Sequence, residues 1–278
     1  MSSKQNTQNI RDTFAILSSY TEELLSHKNY AKIHSVFPNG FNLDFAGELV
    51  YMSYHQEGML SAVGLTIDKE VFNALHPYLK AGLHVRFRSN QLMFYTRPNV
   101  FMIEITDQTV KHLEVVPVSK KALESIDLEK YLEELDLFNQ SGFSSNQTLF
   151  SALKEIQNSK EVKVSYAKRL IGGGVGLTPT GDDFLQGLIL MEQTLKQLPH
   201  IQEIVQNQLE ERSTTDVSLS YYKALFKGYS NEPLVLLFEA VKNNDIKKMK
   251  EALLLVEEYG ETSGYDLLIG ILTYLQIL

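Results

Sequence analysis

"GGGVGLTPTGDDFLQG", residues 172–187, decides how the second half of the chain is read. Four of its first five residues are glycine, Thr-Pro-Thr-Gly follows, and two adjacent carboxylates then open an apolar run. Glycine frees the backbone to turn, and a hydroxyl residue three positions before an acid has the pattern of a capping box. A helix is therefore expected to start here, with Thr180 as its cap and Asp183 reaching back to it. Asp182 is an additional acid that such a cap does not use.

The stretch has an echo. Thr180-Gly-Asp-Asp183-Phe-Leu-Gln-Gly187 aligns with Ser263-Gly-Tyr-Asp266-Leu-Leu-Ile-Gly270, a shared [Thr/Ser]-Gly-x-Asp-x-Leu-x-Gly pattern. An interior helical glycine costs ~1 kcal/mol relative to alanine. Repeating that cost at Gly187 and Gly270 predicts a close helix contact, of the two copies with each other. Gly172, Gly173, Gly174 and Gly176 supply bare backbone just before a helix start, where several N–H groups and the helix dipole can act on one anion. The segment lacks the Gly-Lys-Ser/Thr of a P-loop. Its glycine spacing, with no βαβ unit around it, does not match a dinucleotide fingerprint either.

Reading outward, apolar periodicity predicts helices over 146–158, 161–170, 180–197, 200–212, 217–228, 232–243, 245–259 and 263–277. "NQSGFSSNQ" (139–147) reads as a linker, and the stretch from 119 to 138 as one acidic amphipathic helix. Toward the N-terminus the period changes. A first amphipathic helix is expected from Ile10 to Leu25, on the spacing of Phe14, Leu17, Leu24 and Leu25. β-prone runs follow, with hairpin signals at Ala46-Gly47 and Ser89-Asn90 and an inserted helix in "DKEVFNALHPYLKAG". The expected class is α+β: a β-rich N-terminal domain, a small barrel or sheet with an inserted helix, followed by an all-helical domain. The boundary is placed at 138/139, within a range from 118 to 146.

A net charge of −8 argues against a broad nucleic-acid interface. The chain has no cysteine, which excludes disulfides, thiolate metal sites and cysteine nucleophiles. No signal peptide is recognisable, and the C-terminal apolar run "YDLLIGILTYLQIL" is shorter than the ~20 residues a bilayer span needs. A cytoplasmic protein with no membrane partner is expected. The seven histidines are scattered without ligand spacing. Arg86 and Arg88 share one face of a candidate strand, and Arg97 lies on another; they could supply charge for an anion, but an exposed polar face accounts for them better.

The glycine-rich stretch resembles the signature of the family that includes the AllH-type subunit of oxamate carbamoyltransferase. "TTDVSLSYYKALFKG" looks like that family's middle helix, and "GETSGYDLLIGIL" like its C-terminal motif. "FNLDFAGELVYM" resembles its N-terminal strand pair, with Asn42 where the family often has asparagine. Glu261 departs from the pattern, since the family commonly has histidine before its last motif. The resemblance implies a multi-subunit enzyme of allantoin and purine catabolism, converting oxalurate and phosphate to oxamate and carbamoyl phosphate. The alternatives are a non-catalytic assembly subunit and a stand-alone binder of an acyl phosphate or nucleotide.

On this basis Gly174, Gly176 and Gly181 are candidates to let amides approach an anionic substrate: carbamoyl phosphate, phosphate, oxamate or oxalurate. Thr178 and Thr180 add hydroxyl donors. Asp182 and Asp183 are candidates to hold a carbamoyl –NH₂ or a metal, with Mg²⁺ the ion considered and the metal left unknown. Ser263, Gly264 and Asp266 complete the pocket if the two copies face each other, and Asn42 joins the substrate-binding set through the resemblance. Partner subunits of the same complex are expected.

Overall fold

The structure, a computed structural model, describes residues 7–88, 91–96 and 100–278. The Ser89-Asn90 turn and Arg97 lie outside the described residues. The chain divides into two compact units, Met1–Leu113 and Glu114–Leu278, where the sequence reading put the division at 138/139.

The first unit is a closed eight-stranded barrel. Its elements run β1 (Thr7–Ser18), α1 (Ser19–His27), β2 (Tyr30–Phe37), β3 (Gly40–Asp44), β4 (Leu49–Tyr54), β5 (Gly64–Ile67), α2 (Lys69–Leu75), β6 (His84–Arg88), β7 (Gln91–Tyr95) and β8 (Val100–Lys111). The strand order is β1-β5-β4-β3-β2-β6-β7-β8, and the barrel closes where β8 pairs in parallel with β1. Phe41, Leu43, Met52, Leu65, Ile67, Val85, Phe94 and Ile103 fill the interior, with Phe72 of α2 stacked on Phe41. The hairpin at Ala46-Gly47 is present between β3 and β4: both residues have positive φ (58° and 86°), and Asp44 Oδ1 accepts from the Gly47 amide at 2.6 Å.

The helix expected over 10–25 is a strand followed by a helix. Thr13, Ala15 and Leu17 are buried while Phe14 between them is exposed, a period of two that overrides the Phe14–Leu17 spacing. The helix begins only at Ser19, capped by Ser18, whose hydroxyl accepts from the Thr21 amide.

In the second unit α3 (Lys120–Ile126), α4 (Leu128–Glu133) and α5 (Leu137–Gln140) replace the single acidic helix expected over 119–138. The break is at Asp127, in the left-handed region at φ 54°. Ile126 and Leu128 are both fully buried, and two residues two apart cannot share one helical face, so the chain kinks between them. The expected helices follow as α6 (Gln147–Ser159), α7 (Val164–Leu170), α8 (Thr180–Thr194), α9 (His200–Leu209), α10 (Asp216–Phe226), α11 (Glu232–Lys242), α12 (Ile246–Glu257) and α13 (Ser263–Ile277). Every residue of α8 except Gln193 is buried, so this helix is the axis of the unit. Its Glu192 accepts from the Ile201 and Gln202 amides, supplying from a distance the cap that Pro199 cannot give α9. No helix among the described residues is long and apolar enough to cross a membrane.

The stretch 139–147 is not a linker. It holds a 3-10 turn, Gly142–Ser145, whose Phe143 is fully buried against Phe184 of α8, with ring centroids 5.4 Å apart.

Candidate functional site

The site is built where α8 and α13 cross. A Cβ on Gly187 would lie 2.3 Å from the Leu267 carbonyl oxygen, and one on Gly270 would lie 2.3 Å from that of Phe184. Phe184 and Leu267 hold the same place in the two copies of the motif, so the copies touch reciprocally, related by a local pseudo-twofold. Gly181 and Gly264 are equally constrained. Their Cβ atoms would meet the carbonyl oxygens of Leu170 and Val256 at 2.0 and 1.8 Å, in the last turns of α7 and α12.

The capping-box reading of these helix starts does not hold. The caps are Pro179 and Thr262, neither with a side-chain capping bond, and Thr180 and Ser263 are the first helical residues. At that position a hydroxyl points away from the helix's own free amides, and here it serves the other copy. Thr178 Oγ1 and Ser263 Oγ lie 2.7 Å apart, the Ser263 hydroxyl faces Asp183, and the Thr180 hydroxyl faces Asp266.

Ahead of α8 the backbone takes positive φ at Gly172 (68°), Gly174 (118°) and Gly176 (94°). Gly174 admits no side chain, since a Cβ there would sit 2.7 Å from the Thr180 nitrogen. The start of the loop is hydrogen-bonded: the Gly172 amide donates to Asp182 Oδ1, Gly173 to Leu170 O, and Gly181 to Gly173 O. Among the described residues nothing accepts from the amides of Gly174, Val175, Gly176, Leu177 and Thr178. These five residues border a cleft of about 690 Å³. Its other walls are the 139–146 segment and residues 260–263, and its lining contains no Lys, Arg or His among the described residues.

Beneath the cleft are three buried carboxylates in two different states. Asp182 is fully satisfied: Oδ1 accepts from the Gly172 amide and from Tyr222 Oη at 3.1 Å, and Oδ2 from the Thr214 hydroxyl. Burial raises its pKa against those hydrogen bonds, and burial beside it pushes the Tyr222 phenol well up, keeping it a neutral donor. Asp183 and Asp266 are not satisfied, since the Oδ2 atom of each is buried without a partner. Burial pushes the Asp183 pKa well above its ordinary value, and the nearby Asp266 and Asp182 charges add to this, while the Ser263 and Thr178 hydroxyls oppose it. Asp266 is pushed up to about 6 by burial, opposed by the Thr180 and Thr262 hydroxyls and by the Gly142 amide, which donates to Oδ1 at 3.1 Å. Perturbed buried acids beside a cleft are a mark of a functional site.

Of the residues singled out from sequence, Gly174, Gly176, Thr178, Thr180 and Ser263 line the cleft. Asp183 and Asp266 lie behind those hydroxyls. Asp182 staples the glycine loop to α10, and Gly181 and Gly264 pack helices; none of the three is on the cleft wall. Asn42 belongs to the barrel, where its Nδ2 donates to Ser35 Oγ at 3.0 Å. Glu261 is on the cleft wall and exposed. No group of three His, Cys, Asp or Glu side chains placed to hold a metal occurs among the described residues.

Sequence reasoning missed Gly142, Tyr222 and Thr214. For Gly142 the signal was the isolated Phe143 in a polar segment, an apolar anchor that a free linker does not need. Tyr222→Phe is expected to cost roughly 1–2 kcal/mol by leaving Asp182 Oδ1 with a single donor. Urea unfolding midpoints measure it, and an unchanged midpoint would remove Tyr222 from the staple.

Fold and site together define an α+β protein: a closed barrel, then a helical unit built around two related helix starts. The model of the family described as oxamate carbamoyltransferase subunit AllH matches residues 170–275, from the glycine loop through the second copy of the motif. This is the family the two motifs resemble. No curated protein and no solved structure matches the chain.

Proposed function

We propose that the cleft holds the anionic substrate of a carbamoyltransferase, as a cytoplasmic subunit catalysing the exchange of a carbamoyl group between oxalurate and phosphate. The observation that carries this reading is the run of five unpaired amides, Gly174–Thr178, along one wall of the cleft. Amides fixed at a helix start suit phosphate and carboxylate oxygens, and the same donors can take up the tetrahedral oxyanion of carbamoyl transfer. The Thr178, Thr180 and Ser263 hydroxyls add donors at its floor.

One observation favours completion of the site by a partner subunit. The lining offers no cation, while Val175 (91% exposed) and Leu177 (43%) project from the glycine loop itself. A partner covering these two side chains would desolvate the cleft and bring a basic group to the dianion.

Inorganic phosphate and carbamoyl phosphate are expected to raise the melting temperature, a ligand at 100 times its Kd adding about 2.7 kcal/mol. Val175→Glu changes no internal contact but sets a negative charge beside the amides, and is expected to weaken phosphate binding at least ~10-fold. Absence of any phosphate response in the wild type, alone and with candidate partner subunits, would refute the reading. So would unchanged affinity in Val175→Glu.

A further inference from the structure

The paired hydroxyls on the cleft floor and the orphaned carboxyl behind them raise a question that anion binding alone leaves unanswered. Thr178 and Ser263 come from segments 85 residues apart, meet at 2.7 Å, and both line the cleft. Behind them Asp183 is only 3% exposed and its Oδ2 has no hydrogen-bond partner. A hydroxyl whose only task is to fill space does not need a second hydroxyl and a buried acid in line with it.

Resting on the carbamoyl-transfer reading, we infer that Asp183, through the Ser263 and Thr178 hydroxyls, supplies the proton taken up by the departing amide nitrogen.

The balance closes without an outside acid. A phosphate oxygen bonds to the terminal carbonyl carbon of oxalurate. The bond from that carbon to the internal nitrogen breaks, and its electron pair goes to the nitrogen. The nitrogen takes a proton from one hydroxyl, which is refilled along the pair from Asp183. Hydrogen phosphate carries one proton that carbamoyl phosphate does not retain, and this proton returns along the same hydroxyls to Asp183. The groups that act electrostatically on Asp183 are Asp266 from α13 and Asp182 on its own helix, and the Tyr222 phenol of α10 lies in the same cluster. Burial and both carboxylates favour the protonated form of Asp183, which is the form the relay needs before the substrate arrives.

The test compares Ser263→Ala, Thr178→Val and Asp183→Asn with the wild type, using the full chain together with its candidate partner subunits. Phosphate binding is measured by calorimetry, carbamoyl transfer from carbamoyl phosphate to oxamate by product formation, and the carboxyl state by infrared difference spectra. In the two hydroxyl variants kcat at saturating substrate is expected to fall at least ~30-fold, a loss larger than any weakening of phosphate binding or rise in KM. Ser263→Thr is expected to recover part of the loss. A protonated-carboxyl band at pH 7, absent in Asp183→Asn and displaced in Ser263→Ala, is expected in every case, including one in which no transfer is detected.

Intact phosphate binding with unchanged kcat overturns the relay and leaves the cleft reading standing. Absence of the protonated band overturns the relay even without an activity measurement. Failure of the wild type to bind phosphate overturns the cleft reading instead.

Discussion

Asp266→Asn is expected to make the protein more stable than wild type by about 3 kcal/mol at pH 8, and by almost nothing at pH 4. Asp266 is fully buried, one oxygen takes the Gly142 amide, the other has no partner, and its pKa is pushed up to about 6. A carboxyl whose folded pKa lies above its unfolded value contributes stability that is fully present below the unfolded pKa and is lost as pH rises through the folded one. The window therefore runs from about pH 4 to about pH 6. A displacement of about 2 in pKa corresponds to ~3 kcal/mol. Asparagine keeps an oxygen for the Gly142 amide and cannot ionise. Urea unfolding of both proteins at pH 4, 5, 6 and 8 measures the difference. A difference independent of pH, or a variant less stable at pH 8, would show that burial does not strain this carboxyl. An acid retained against its own stabilising replacement is the behaviour of a functional residue, and the variant is expected to lose ligand-dependent stabilisation as it gains intrinsic stability.

The second large effect concerns the crossing of α8 and α13. Gly187→Ala and Gly270→Ala are each expected to destabilise the helical unit by at least ~3 kcal/mol, against the ~1 kcal/mol that alanine normally adds to a helix. Each new methyl would sit 2.3 Å from a carbonyl oxygen of the facing helix. Main chain cannot rotate out of the way as a side chain can, so the two helices must separate along much of their length. One separation accommodates both methyls, since the contacts are reciprocal. The double variant is therefore expected to cost clearly less than the sum of the single ones. Gly228→Ala is the control: its Cβ would meet nothing within 4 Å, and only its φ of 84° opposes the change. Additive losses in the double variant, or single variants no worse than Gly228→Ala, would disprove the close crossing. The same separation would pull Ser263 from Thr178, so both single variants are expected to bind phosphate more weakly than their residual fold explains.

How much of this was legible in the sequence depends on the range of the forces involved. From Gln147 onward the helices are set by apolar residues three and four apart, a local signal, and their limits come within a few residues of the periodicity. The facing of Gly187 and Gly270 was also legible, because the same costly residue recurs at the same offset in two related segments. The strand at Thr13–Leu17 was not, because Phe14 and Leu17 imitate a helical spacing and only the barrel decides which face of that strand is inside. The capping box failed for a geometric reason. A shift of one residue in the helix start turns Thr180 and Ser263 from caps into first-turn residues, freeing their hydroxyls for Asp266 and Asp183. Of the candidate site, Gly174, Gly176, Thr178, Thr180 and Ser263 were singled out from the sequence and line the cleft. The division of labour among the acids could not be read there, since it depends on Tyr222 and Thr214, which lie far along the chain from Asp182.

The seam of the barrel has a consequence for biosynthesis. Strand β1 pairs with β8 from Thr7↔Val100 to Ser18↔Lys111, so each residue of β1 finds this neighbour only after about ninety further residues have been made. Until then its edge is open and its apolar side chains are uncovered, a state inviting chaperone capture or aggregation. Truncated nascent chains are thus expected to become protease-resistant in the N-terminal region abruptly, once β8 has cleared the exit tunnel.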